Sequence, residues 1–255
     1  MNKEMVICQK KASVGIITLD REGLRNDIAI NIIRQTEDVR SKISIDHDIR
    51  AIIVTGKETF SFGIGRGELA PSENKAELIR CVTIASIIER FDQLVIAAIN
   101  GDAIGQRLEL ALACDIRIAT DTAHFGFPHI KEGLIPWDGG TQRLSRVIGQ
   151  AKAMEMILTG EMIDAQEAYR IGLVNKVVPT QELMPVAMDM AREMASKGPI
   201  ALRYAKEAIR KGMDLTLDQG LRLEADLYFL LHTTKDRTEG IRAFQEKRPP
   251  EFKGE

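Results

Sequence analysis

The residues with the clearest chemical potential lie in GQRLELALAC, Gly105 to Cys114, where Leu108, Leu110, Ala111, Leu112 and Cys114 recur with helical spacing behind a glycine. The first N–H groups of such a helix have no acceptor within it and carry the positive end of its dipole. They suit an anion, or the oxyanion that grows on a carbonyl as it reacts. Glu109 sits one turn inside the same helix, three residues past Gln106, where a carboxylate can act as a general base on whatever those amides hold. The plainer alternative puts Glu109 on a polar face toward water, and composition alone favours that side. A second stretch, KETFSFGIGRG from Lys57 to Gly67, is either an ordinary glycine-rich loop or a backbone that approaches a ligand.

Other chemistries find no matching pattern. His47, His124, His129 and His232 have no metal-ligand spacing, and Cys8, Cys81 and Cys114 form no C-x-x-C pair. There is no dinucleotide fingerprint, phosphate loop or G-x-S-x-G turn. Sparse, scattered cysteines fit a reduced, cytoplasmic setting, and no metal is expected.

The elements that must carry Glu109 are legible on both sides of it. LVIAAI, Leu94 to Ile99, is an apolar run of the length expected for a strand buried on both faces, and Asn100-Gly101-Asp102 after it is a turn. Strand, tight turn and helix in that order bring the helix start to the carboxyl end of a sheet, where open α/β folds bind ligands. Upstream, VICQ and VGIITLD predict an opening hairpin about Lys10 to Ser13. Ile28, Ile32, Ile33, Val39 and Ile43 predict a helix, and RAIIVT (50–55) a buried strand ending at Gly56. The glycine-rich stretch after Gly56 should then lie at the same sheet edge as the turn after Ile99. Pro71 to Phe91 reads as helix and Ile116 to Ala119 as a short strand, while Phe125-Gly126-Phe127 looks like a strand edge stopped by Pro128.

Further on, Gly139 to Ile148 reads as a helix closed by Gly149. Asp164 and Glu167 have capping-box spacing for a helix that ends at Gly172. From Pro185 the chain is nearly all helical, over Val186–Ala195, Ile200–Lys211, Leu215–Leu231 and Asp236–Lys247. The expected class is α/β, with a core over 1–195 and a helical part over 196–255. Leu217, Leu221, Leu223, Leu227, Leu230 and Leu231 supply apolar surface for core packing or for a subunit interface.

With 255 residues, 44% of them hydrophobic, the chain can bury a full core. A formal charge of −2 and the lack of basic blocks argue against nucleic acid and membrane surfaces as partners. No apolar run approaches the ~20 residues of a spanning helix.

Taken together, IAAINGDAIGQRLELALACDIRIAT, AHFGFP, GLIP and GGTQRL resemble the enoyl-CoA hydratase/isomerase (crotonase) family, as do MILTGEMIDAQEAYRIGLVNKVVP (Met156 to Pro179), ALRYAKEAI, DQGLRLEADLY and EGIRAFQEKRPPEFKG. The resemblance implies a crotonase-like spiral of ββα units with a helical C-terminal oligomerisation region that builds trimers or hexamers. It also implies an acyl-CoA thioester substrate, with no cofactor beyond the CoA that the substrate carries. By similarity to the family's F-x-A-G-A-D and A-x-G-G-G-x-E segments, here FSFGIG and AIGQRLE, the backbone N–H groups of Ile64 and Gln106 would hold the thioester oxygen.

Two family glutamates correspond to Glu109 and His129, so the second carboxylate is an imidazole here. The family's Gly-Gly-Gly has become Gly105-Gln106-Arg107, and its Ala-Asp has become Ile64-Gly65, which reshapes the pocket while keeping backbone donors. Trp137 stands where glycine is common, followed by Asp138. The resemblance also implies CoA contacts at Leu24, Arg25, Phe62, Gly63, Gly65 and Arg66, with Phe244 and Lys247 as aids, and substrate contacts at Trp137 and Asp138. Structural alternatives are a hydrogen-bonded loop for His129, the core for Trp137 and, for Asp138, a cap on the helix that begins near Gly139. The implied activity is hydration or isomerisation of an enoyl-CoA. Hydrolysis of an acyl-CoA, or binding and assembly without catalysis, is the alternative.

Overall fold

Long apolar runs dominate the middle of the chain, and a run buried on both faces is what a parallel sheet needs. A computed structural model describes residues 5–20, 27–60 and 84–255, and in 27–31 the backbone alone. Strands β1 (Val6–Lys11) and β2 (Val14–Leu19) form the expected antiparallel hairpin, its turn passing through Ala12 at φ 54. Helix α1 (Asp27–Ile45) buries Ile32, Val39 and Ile43 from the predicted stripe. It leads to β3 (Ala51–Gly56), every residue of which is buried. Helix α2 (Ile84–Glu89) precedes β4 (Leu94–Ile99), and a two-residue strand β5 (Ala103–Ile104) precedes helix α3 (Gln106–Ala113), which carries Glu109. Strands β6 (Ile116–Thr120) and β7 (His124–Gly126) follow.

After a short 3-10 turn, Pro128–Glu132, come α4 (Gly140–Ile148), α5 (Gln150–Thr159), β8 (Met162–Asp164), α6 (Ala165–Arg170) and β9 (Lys176–Val178). Asp164 caps α6 as its spacing predicts, its side chain accepting from the Glu167 N–H. The chain closes with α7 (Leu183–Ala195), α8 (Pro199–Gly212), α9 (Leu217–Leu231) and α10 (Lys235–Glu246). Helix α7 begins two residues ahead of Pro185, because a first-turn proline gives up no intrahelical bond. Helix α9 begins at Leu217, since Thr216 and Gln219 close a capping box there. No helix among the described residues is long and apolar enough to cross a membrane.

The main sheet has the order β1-β2-β3-β4-β6-β9, antiparallel at β1–β2 and parallel elsewhere, while β5, β7 and β8 make a smaller one. Alternation along each strand divides the core in two. Ile52, Val54, Val95, Ala97 and Ile99 point into one cluster with α1, α2 and α3, whereas Ile53, Ile96, Ala98 and Ile118 point into the other. Helix α7 covers that second face with Leu183, Ala187, Met188, Ala191 and Ala195. Each fully buried isoleucine in these clusters contributes roughly 1.5–3 kcal/mol of transfer free energy. A half-buried carboxylate, Asp115, fastens α8 to the core: it pairs with Lys206 at 2.9 Å and Arg210 at 2.8 Å and accepts from the Val95 N–H at 2.8 Å.

Candidate active site

The ends of β3 and β4 are locked side by side. The Asn100 side chain donates to the Gly56 carbonyl at 3.0 Å and accepts from the Gly56 N–H at 3.3 Å, so the chain leaves both strands at one sheet edge, as expected. Gly101 approaches Thr59 so closely that a Cβ would lie 2.2 Å from Thr59 Oγ1. From this edge β5 leads to Gly105, whose φ of 63° lies in the region that glycine tolerates. Its N–H donates to the Gly126 carbonyl at 2.9 Å, and its own carbonyl accepts from the Leu108 and Glu109 N–H groups. Gln106 is therefore the first residue of α3, and its N–H belongs to the turn for which the helix offers no carbonyl. At the other end, Arg117 donates to the carbonyls of Ala111, Cys114 and Leu173. The helix that carries Glu109 is held at both ends.

Glu109 is not on a solvent face: its relative exposure is 0%, and the composition-based preference is overturned. Burial is tolerable because Oε1 accepts two backbone hydrogen bonds, from the Asp138 N–H at 2.8 Å and the Gly140 N–H at 2.9 Å. Oε2 is equally buried and has no hydrogen-bond partner among the described residues. Loss of hydration is the largest influence on this carboxyl and favours its neutral form. The Gly140 N–H works against it, and the charge of Asp138 adds to it. The net effect pushes the pKa from 4.5 up to about 7, near that of an effective general base at neutral pH.

His129 reaches the same place from the 3-10 turn. A Cβ on Gly105 would lie 3.3 Å from its Cε1 and 3.5 Å from its Nε2, so the imidazole lies against the residue that starts α3. Its ring centroid is 5.9 Å from that of Phe127, which is fully buried. Trp137 is not a core residue; 39% of it is exposed, beside the exposed Leu134 and Ile135 and one residue before the first donor to Glu109.

Asp138 is buried, but it does not cap the helix that follows it. The N-cap of α4 is Gly139, without a side-chain cap bond, and Asp138 Oδ2 instead accepts from the Ala85 N–H of α2 at 3.4 Å. The glycine takes the cap because φ is 94° there, which leaves the Asp138 side chain directed across to α2.

The structure thus brings Asp138 to Glu109 and His129 to Gly105 at the start of the helix that carries Gln106 and Glu109, while Trp137 is next to Asp138 in the chain. Ile64, Phe62, Gly63, Gly65, Arg66, Leu24 and Arg25 lie outside the described residues. Phe244 and Lys247 are exposed at the end of α10, and no hydrogen bond or ion pair among the described residues ties either to the Glu109 cluster. Two contributors went unread in the sequence: Gly140, which supplies the second donor, and Arg143, which donates to the Asp138 carbonyl at 2.7 Å. The signal for Gly140 was a pair of glycines where one suffices to start a helix. No three His, Cys, Asp or Glu side chains among the described residues gather into a group that could hold a metal ion.

Comparison with known proteins matches residues 9–255 to the model of the family described as enoyl-CoA hydratase/isomerase. The chain is 38% identical to the 2,3-dehydroadipyl-CoA hydratase of Escherichia coli (strain K12), with 98% of each chain covered. It is 36% identical to the short-chain-enoyl-CoA hydratase of Clostridium acetobutylicum, with 97% of each covered. Among solved structures, the enoyl-CoA hydratase of Bacillus anthracis superposes with a TM-score of 0.90 at 39% identity, covering 99% of this chain and 100% of that one.

Proposed function

The chain belongs to the enoyl-CoA hydratase/isomerase family, and from that premise we propose that it adds water across the Cα=Cβ bond of an enoyl-CoA thioester, with Glu109 as general base. The observation that carries the reading is the state of one carboxylate. Glu109 is wholly buried, with Oε1 held by two backbone N–H groups, and Oε2, which has no hydrogen-bond partner among the described residues, is the oxygen assigned to the substrate water. Oε2 takes a proton from that water as its oxygen bonds to Cβ. The π electrons move toward the thioester carbonyl, and negative charge grows on its oxygen.

The N–H groups of Gln106 and Ile64 receive that charge as the oxyanion hole; one such donor is typically worth about 3 kcal/mol. Protonated His129 gives its proton to Cα, and the proton on Glu109 passes back through solvent. The sum is one water added, with OH on Cβ and H on Cα. An imidazole suits the second step because its ring nitrogen can hand over a proton and take one back. Isomerisation of the double bond would use the same base and oxyanion hole.

CoA is held by Leu24, Arg25, Phe62, Gly63, Gly65 and Arg66, with Phe244 and Lys247 as aids from the end of α10. CoA enters as part of the substrate, and no further cofactor is assigned. The exposed Trp137 supplies a flat wall for a bulky or cyclic acyl group. Residues 1–195 form the acyl-CoA-binding core.

Residues 196–255 build a homotrimer or a hexamer with closed symmetry, and the protein works in the cytoplasm. Leu217, Leu221 and Leu230 on α9 are exposed and only Leu227 is buried, which supports the interface reading of that helix over core packing. A panel of acyl-CoAs tests the activity. Loss of the enoyl thioester absorbance without thiol release is expected. Thiol release would assign hydrolysis, and silence across the panel together with no calorimetric binding would refute the proposal.

A further inference from the structure

Hydration gives no direct task to Asp138 or Arg143, yet the two fasten the segment that holds the base. Because the N–H groups of Asp138 and Gly140 both end on Glu109 Oε1, the place of that oxygen is set by the place of residues 138–140. That segment is tied to α2 at two points. Asp138 Oδ2 accepts from the Ala85 N–H near the start of α2, and Arg143 donates from Nη1 to the Asp138 carbonyl while its Nη2 pairs with Glu89 at the end of α2. Helix α2 is itself packed into the core through Ile84, Ala85, Ile87 and Ile88. The base is thus referred to a rigid element through two side chains of opposite charge.

We propose that Asp138 and Arg143 are paired positioning residues of Glu109, reaching the reacting atoms only through it. For Asp138 this replaces the substrate contact suggested by resemblance. The inference rests on Glu109 being the base. Among the described residues, the charged groups that act on Glu109 are Asp138 from its segment and Arg143 from α4, the latter paired with Glu89 of α2. Arg146 of α4 is paired with Asp214, His129 lies against Gly105, and β5 brings no charged residue. Asp138 favours the protonated form of Glu109 and Arg143 the ionised one, so the two contributions have opposite signs.

The test is the acid limb of kcat/KM against pH for the wild type, Asp138→Asn, Arg143→Gln and Arg143→Lys. Alongside it, the Glu109 carboxyl band is titrated by infrared difference spectroscopy in the substrate-free enzyme, with Glu109→Gln as the blank. The expected result is a shift of about half a pH unit or more to lower pH for Asp138→Asn and to higher pH for Arg143→Gln, with Arg143→Lys returning toward wild type. Shifts in one direction for both, or none for either, would overturn the pairing while leaving the base assignment intact. Full activity of Glu109→Gln would instead remove the base assignment, and the infrared titration would still read whether the pair controls the carboxyl. If Asp138→Asn does not fold, the two Arg143 variants decide.

Discussion

Gly140 stands so close to Glu109 that a β-carbon on it would lie 2.9 Å from Glu109 Oε1, with Pro136 Cβ at 2.7 Å and Phe127 Cε1 at 2.9 Å. All three neighbours are buried, and none is the loose end of a flexible side chain. Gly140→Ala must therefore push the carboxylate or the segment that holds it. The expected outcome is at least a roughly tenfold loss of kcat and about 1–3 kcal/mol of stability. Steady-state kinetics and urea unfolding measure the two, and a folded Gly140→Ala enzyme with wild-type kcat would contradict the geometry.

Glu109→Gln keeps an oxygen for the two N–H donors and loses the base. Turnover should fall by about 10²- to 10⁴-fold, while calorimetry still detects acyl-CoA binding. In the wild type, kcat/KM should rise with pH through an inflection at about 7, where Glu109 ionises. Activity unchanged in the glutamine variant would end the proposed mechanism.

The same carboxyl makes stability depend on pH. Its pKa is raised on folding from 4.5 to about 7, so the folded state holds a proton that the unfolded state has released between those values. Stability from this group is complete below about 4.5 and is lost as pH rises through about 7, by up to ~3 kcal/mol. Relative to the wild type, Glu109→Gln should therefore gain stability on going from pH 5 to pH 8. Urea midpoints at the two pH values check this, and a constant difference would show that Glu109 titrates normally.

His129→Ala should lose less turnover than Glu109→Gln, because a solvent proton can reach Cα where the imidazole stood. A loss nearer tenfold than a thousandfold is expected. Burst-free kinetics on one substrate for both variants settles the order. A dead His129→Ala beside an active Glu109→Gln would move the chemistry to the opposite wall of the pocket.

Leu217 is 79% exposed and Phe229 67%, and the ring contacts of Phe229 among the described residues are local ones, with Tyr228 and His232. Light scattering at micromolar concentration should report a trimer or hexamer, and Leu217→Glu with Leu221→Glu should dissociate it. A wild-type monomer at that concentration would refute the assembly.

Much of this fold was legible because a strand buried on both faces leaves an unbroken apolar word, as in Leu94–Ile99, and because caps such as Asp164 announce themselves by spacing. Strands β5, β8 and β9 went unread: two or three residues carry no period, and Lys176 opens β9 with a charge. Helix α5 was hidden by Met154 and Leu158, exposed apolar residues that blur the stripe of Ala153 and Met156. At the site, helix start and carboxylate could be read. The inward turn of Glu109 could not, since its two donors come from about thirty residues downstream. Asp138 misled for the opposite reason, as its neighbour Gly139 offered a local cap while its actual acceptor role lies across the fold at Ala85.

The two faces of the main sheet are closed at different times in the life of the chain. Ile53, Ile96, Ala98 and Ile118 are all made by residue 120, but the helix that covers them, Leu183–Ala195, is still to come. At 5–20 residues per second a growing chain carries that oily face open for roughly 3–15 s. The ribosome's neighbourhood therefore meets this protein first as a sticky half-sandwich, and synthesis of α7 ends that exposure.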